Sequence, residues 1–105
     1  MKRKHFLNCD VAGFTYYDGP VVFGRLQPGA ALQLVAEPEN RYDPNAIAVY
    51  LEEHKLGFIP RSENKTISLL FEQGYGDIFE AYINRVSPDE RPESQIGMVV
   101  YVKKR

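Results

Sequence analysis

Six side chains in three short polar runs are suited to gripping a ligand. Tyr16 and Tyr17 are adjacent in "TYYDG", Asn40, Tyr42 and Asp43 share "NRYDPNAIAVY", and Arg61 follows "KLGFIP". A carboxylate such as Asp43 accepts a hydrogen bond from a hydroxyl and repels phosphate. A guanidinium such as Arg61 does the opposite. Tyrosine faces stack on any base. Together the aromatic rings and the cation suit a ligand that carries bases and phosphate.

Each residue also has a plainer reading. If the backbone is extended, Tyr16 and Tyr17 point to opposite sides, so one can be a core ring and the other a rim ring. From spacing, that reading and the base platform stay open together. Asn45 can close the turn before a strand while Pro44 fixes its backbone. Asp43 can be an Asx-turn residue. Arg61 can open a helix with its head in solvent, but a cation there opposes the helix dipole. A negative partner nearby accounts for it better, and a phosphate would serve.

The elements that must position these residues are mostly strands. Leu7, Cys9, Val11 and Gly13 share one face of a first strand, with Phe6 on the other. Leu32, Leu34 and Ala36 alternate in "ALQLVAE", and Ile47, Val49 and Leu51 in "AIAVYL". "KLGFIP" follows the short turn "EEH", which predicts a hairpin. Phe79, Ala81 and Ile83 alternate, as do Ile96, Met98, Val100 and Val102, with the polar loop "SPDERPES" between these two runs. One helix is predicted near 61–73, with Ser62 as its cap, Ile67, Leu70 and Phe71 on one side, and Gly74 at its end. Short strands with one helix predict a small barrel or a strongly curved sheet.

The chain has 105 residues, enough for one domain and too few for two. Its hydrophobic share of 44% supports a core, and 26% charge is ordinary. No apolar run reaches the roughly 18 residues of a membrane helix, and the basic start lacks the apolar run of a signal peptide. One cysteine, Cys9, excludes an internal disulfide and fits a reducing, cytoplasmic setting. The net charge of −1 argues against general coating of duplex DNA. The basic ends, Lys2–Lys4 and Lys103–Arg105, read as solvated tails.

Other chemistries lack their signatures. There is no phosphate loop, and Cys9, His5 and His54 do not have zinc-ligand spacing. His54 reads as a solvent-facing turn residue and Cys9 as a buried, inert thiol. Glu37, Glu39 and Asp43 could hold Mg²⁺ in a small nuclease only if all three met on one surface with a water-activating group. No cofactor, metal site or catalytic residue is expected.

"EPENRYDPNAIAVY", then "KLGFIPRSENKTISLLFEQG", with "VAGFTYYDG" upstream, resembles the HIRAN domain. That domain occurs at the N-terminus of fork-remodelling, helicase-like proteins of the SWI/SNF type and in small bacterial proteins. The resemblance covers roughly residues 8 to 86 and rests on three separated blocks. It implies a single domain over 1–105, an OB-like antiparallel β-barrel with one principal helix. It also implies capture of the 3′ end of single-stranded DNA, and partners among other domains or proteins of DNA repair. Residues like Tyr16 and Tyr17 contact the terminal nucleotides in that family. Residues like Tyr42 and Asp43 close the pocket, with the aspartate on the free 3′-hydroxyl and an asparagine like Asn40 beside them. A basic residue like Arg61 contacts phosphate. Two positions depart: Thr15 stands where the family has arginine and Phe58 where it has histidine. Both changes remove polar or cationic contacts on the phosphate side. The rival expectations are a peptide-binding module on the same fold, with the tyrosines as anchors, and the metal-dependent nuclease.

Overall fold

The structure is a computed structural model that describes residues 3–104. Alternating apolar residues build six strands: β1 (Arg3–Asp10), β2 (Ala31–Ala36), β3 (Ile47–Leu51), β4 (His54–Phe58), β5 (Phe79–Val86) and β6 (Ile96–Lys103). One helix, α1 (Lys65–Glu72), lies between β4 and β5. The strands form one sheet in the order β1-β6-β5-β2-β3-β4, and every neighbouring pair is antiparallel. The inward residues of all six strands join one core, with Ile47, Val49, Leu56, Ile83, Met98 and Val100 almost fully buried. Ile67 of α1 is fully buried in the same core. Phe71 stacks on Phe79 with ring centres 6.0 Å apart, and the Phe6 ring lies 5.6 Å from that of Phe79.

The ladder does not close into the expected barrel. Its two edges, β1 and β4, meet at one point. Just past β1, Val11 donates its N–H to Ile96 O at 2.9 Å, beside β6. The next residue, Ala12, turns to β4 instead: it exchanges hydrogen bonds with Phe58 at 2.8 and 2.9 Å. The sheet is therefore curled and pinned, with a single bridge in place of a seam. Gly57 makes the pin possible. A Cβ built on it would lie 2.2 Å from Ala12 O and 2.8 Å from the Val11 side chain, and its φ of +153° is one that residues with side chains rarely adopt.

Several expectations shift. β1 ends at Asp10, and Gly13 belongs to a left-handed turn (φ +71°) rather than to the strand. The helical stretch is divided: a 3-10 turn over Arg61–Glu63, then α1 from Lys65. Asn64, not Ser62, holds the cap position. Gly74 does end the helix. Tyr75 N–H bonds to Leu70 O at 2.8 Å and Gly74 N–H to Phe71 O at 3.0 Å, the paired closure of a Schellman end. The basic ends are not free tails where they are described. Arg3 pairs with Lys103 across β1 and β6, lies 4.1 Å over the Tyr101 ring, and bonds Glu80 at 3.1 Å. Lys2 and Arg105 lie outside the described residues. His54 opens β4 rather than sitting in the turn, and its partly exposed ring holds Nδ1 3.2 Å from Asp18 Oδ2. Burial pushes the Cys9 thiol up to about 12, helped by Glu63 and Asp10, which keeps it protonated and unreactive.

The pin predicts a specific weakness. Gly57→Ala should lower stability to urea by roughly 2–3 kcal/mol, because the methyl must displace backbone rather than a movable side chain. Unchanged unfolding would show that the Ala12–Phe58 bridge is dispensable.

Candidate functional site

The run from Glu37 to Ala46 connects β2 to β3 and builds its shape from its own side chains. Asn40 does most of this locally. Its side-chain oxygen accepts the N–H groups of Tyr42 at 2.9 Å and Asp43 at 3.0 Å, and its amide donates to Glu37 at 3.0 Å. Asp43 Oδ1 accepts Asn45 N–H at 2.9 Å, the expected Asx turn. These bonds turn the Tyr42 ring outward, 84% exposed, and leave the Asp43 side chain 16% exposed.

Long-range partners then fix the loop. Asn64 donates its amide to Asp43 Oδ2 at 2.9 Å. Arg61 donates to Tyr42 O at 2.6 Å and holds its Nε 3.6 Å from Asp43 Oδ2. Lys55 on β4 donates to Glu37 Oε2 at 2.7 Å. The same ammonium sits 4.8 Å from the Tyr17 ring centre and 4.5 Å from that of Phe58. Tyr17 meets Phe58 edge to face at 5.6 Å. The tyrosine loop is anchored beneath by Asp18 N–H on Lys55 O at 2.9 Å.

These contacts enclose a cleft of about 290 Å³. Tyr17, Tyr42 and Phe58 supply aromatic walls, Asn40, Asp43 and Arg61 the polar ones, and Ala12, Ala46 and Ile59 complete the lining. Five of the six residues singled out from sequence thus meet: Tyr17, Asn40, Tyr42, Asp43 and Arg61. Tyr16 does not line the cleft and stands 84% exposed. The tyrosine pair is therefore divided, one ring packed at the cleft and one in solvent. Phe58 makes an apolar floor where a histidine would have offered a polar contact.

Arg61 has its negative partner within the protein, so a phosphate is not needed to account for it. Burial by itself would raise the Asp43 pKa. The Asn45 N–H, the Asn64 amide and the Arg61 charge outweigh that and hold it below the usual carboxylate range. Glu37 behaves alike: burial raises it, while Lys55 and Asn40 bring it lower. The Mg²⁺ arrangement is missing, because no three His, Cys, Asp or Glu residues gather for a metal among the described residues. No helix among them is long and apolar enough to cross a membrane.

Two residues that brace the cleft without lining it were not legible in the sequence. Lys55 looks like any exposed strand lysine until β2 and β4 are brought together around β3. Asn64 looks like an ordinary helix cap, and nothing local points it toward Asp43.

The fold and cleft define a small antiparallel β domain with an aromatic-walled, polar-edged cleft. The chain belongs to the HIRAN domain family, whose model matches residues 4–105. HIRAN domains bind nucleic acid and are not catalytic modules. A crystal structure of a protein from Lactobacillus plantarum superposes with a TM-score of 0.79 at 26% identity, covering 96% of this chain and 95% of that one. The crystal structure of the HIRAN domain of human HLTF superposes with a TM-score of 0.69 at 18% identity, covering 97% of this chain and 81% of that one. The latter likeness shows a shared fold. No curated protein matches the chain significantly.

The site's electrostatics predict an acid response. Asp43 and Glu37 titrate lower in the folded chain than when unfolded, so the unfolded chain takes up their protons first. Both contribute stability above the unfolded value, and that stability is lost as pH falls through the folded one. Urea unfolding should show stability falling below about pH 4, with a shallower fall in Asp43→Asn. Identical acid profiles for parent and variant would mean that Asp43 contributes nothing to the response.

Proposed function

We propose that this domain captures the 3′-hydroxyl end of single-stranded DNA. The observation that carries the reading is a fixed, ionised carboxylate in an aromatic cleft. Plain phosphate binding would put a cation at Asp43. A carboxylate there accepts a terminal hydroxyl and repels a continuing phosphodiester, so selection for an end comes partly from rejecting the alternative. Asp43 keeps lone pairs for this, since two hydrogen-bond donors occupy only part of its capacity.

The surrounding groups have matching roles. Tyr42 is exposed enough to stack on a base, and Tyr17 presents a ring supported by Phe58 and Lys55. Arg61 has a side chain 71% exposed and can turn toward the penultimate phosphate while its ion pair with Asp43 loosens. Among the described residues Arg61 is the one lysine or arginine that lines the cleft, which fits a site that reads an end and needs few phosphate contacts. The family's nucleic-acid binding supports the ligand class. The end preference rests on the Asp43 chemistry.

Fluorescence anisotropy with one labelled strand, ending in a 3′-hydroxyl or a 3′-phosphate, tests the reading. The parent should prefer the hydroxyl, and Asp43→Asn should narrow the preference mainly by tolerating phosphate. Thermal unfolding of both proteins must accompany the titrations, because Asp43 also shapes its loop. Equal affinity of the parent for the two ends would refute end capture. The divided tyrosines add a second expectation. Tyr17→Ala should weaken binding by about 1–3 kcal/mol, as for loss of a stacked base, and Tyr16→Ala by less. The reverse order would place the strand outside the cleft.

A further inference from the structure

Asn64 is the one buried polar residue among the described residues, only 1% exposed. It holds the cap position of α1, where an asparagine ordinarily turns its oxygen onto the first free N–H groups of the helix. Here its side chain makes no such bond. Its amide donates instead to Asp43 Oδ2 at 2.9 Å, 21 residues away in sequence. A carboxylate only accepts, so the amide nitrogen must face it and the amide oxygen is turned elsewhere. That oxygen, Oδ1, is buried without a partner. The helix thus gives up a side-chain cap and the interior carries an unpartnered acceptor, both unfavourable, for one bond to a carboxylate.

That bond supplies direction. The last torsion of an aspartate side chain is soft, so one fixed oxygen leaves the carboxylate plane free to swing. Asn45 N–H holds Oδ1, and Asn64 holds Oδ2. Arg61 lies 3.6 Å from Oδ2, too far for a hydrogen bond, and supplies charge rather than direction. Asn64 itself does not line the cleft.

We propose that Asn64 is the positioning residue of the cleft: its buried amide fixes the plane of Asp43 so that the free lone pairs meet a strand's terminal hydroxyl. This inference rests on the end-capture reading. It makes end preference depend on a residue that touches no ligand.

The test compares a strand ending in a 3′-hydroxyl with the same strand ending in a 3′-deoxynucleotide, which carries no titrating group. Affinities for both are measured by anisotropy from about pH 8 to about pH 5, where Asp43 stays ionised. The parent should favour the hydroxyl roughly tenfold or more, with a flat pH profile. Asn64→Leu keeps the volume and removes the donor, so its preference should fall toward one at every pH. Asn64→Asp puts a second carboxyl against Asp43. Two such groups come to share one proton as pH falls.

The charged groups around that pair are Arg61, 3.6 Å from Asp43, and Glu63 and Lys65, which flank position 64 in the chain. Beyond Asn40, Glu37 and Lys55 pair with each other at 2.7 Å. Arg61 keeps the negative charge on Asp43, so the shared proton sits on the introduced carboxyl and donates as the amide did. The Asn64→Asp preference should therefore be lost near pH 8 and return on acidification. A merely structural residue would weaken both strands together and leave their ratio and its pH profile unchanged. If Asn64→Leu fails to fold, the acid-restored preference of Asn64→Asp carries the test, and its absence overturns the proposal. A parent preference that survives in Asn64→Leu overturns this inference alone. A parent without any preference overturns end capture and this inference with it.

Discussion

The Asp43 carboxylate is the knot on which the rest of the site depends. A carboxylate that is mostly removed from water must be compensated, and each compensating group comes from a different part of the chain. Asn45 N–H comes from the loop itself, Asn64 from the cap of α1, and Arg61 from the 3-10 turn before it. Satisfying one charge thus fixes the loop, the helix and the turn relative to one another. The ionised state persists because these donors outweigh the burial.

A second tie brings the aromatic wall to that carboxylate. The sheet is open, yet Ala12 reaches across to Phe58 and pins its edges together. Val11 and Ala12 lead directly into the turn that carries Tyr16 and Tyr17. The pin therefore delivers Tyr17 against Phe58, on the strand that also carries Lys55. Lys55 then reaches Glu37, which bonds Asn40, which holds the backbone of Tyr42 and Asp43. Fold and site are one connected set of bonds. The absence of a Cβ at Gly57 is a condition for the cleft as much as for the sheet.

Under the end-capture proposal, this connectivity also accounts for how a chain of nearly neutral charge would serve a polyanionic ligand. Affinity from phosphates grows with the number of cations laid along a strand. A cleft that grips one end needs shape, stacking and one well-aimed acceptor. Replacing a polar ring by Phe58 costs such a cleft less than it would cost a long basic groove, because the ring still supports Tyr17.

What the sequence determined by itself was local. Period-two alternation marked the strands, the turn "EEH" marked the β3–β4 hairpin, and the spacing of Ile67, Leu70 and Phe71 before Gly74 marked the helix and its end. The Asx turn at Asp43 was equally legible, because it spans only two residues. The chemistry of the polar residues, together with the resemblance to the HIRAN domain, also pointed to five of the cleft's side chains. Tertiary structure decided everything that joins distant segments. Asn64 bonds Asp43 across 21 residues, Arg61 bonds Tyr42 across 19, and Lys55 bonds Glu37 across 18. Ala12 pairs with Phe58 through one bridge, where the strand pattern had left a barrel and a strongly curved sheet both open. Ser62 and Asn64 are both good caps by composition, and only the buried Asp43 charge chose what Asn64 would do. Tyr16 and Tyr17 are chemically identical neighbours. The turn at Gly13 and the approach of β4 sent one ring to the cleft and left the other in water, because a side chain's role follows from what the folded backbone places beside it.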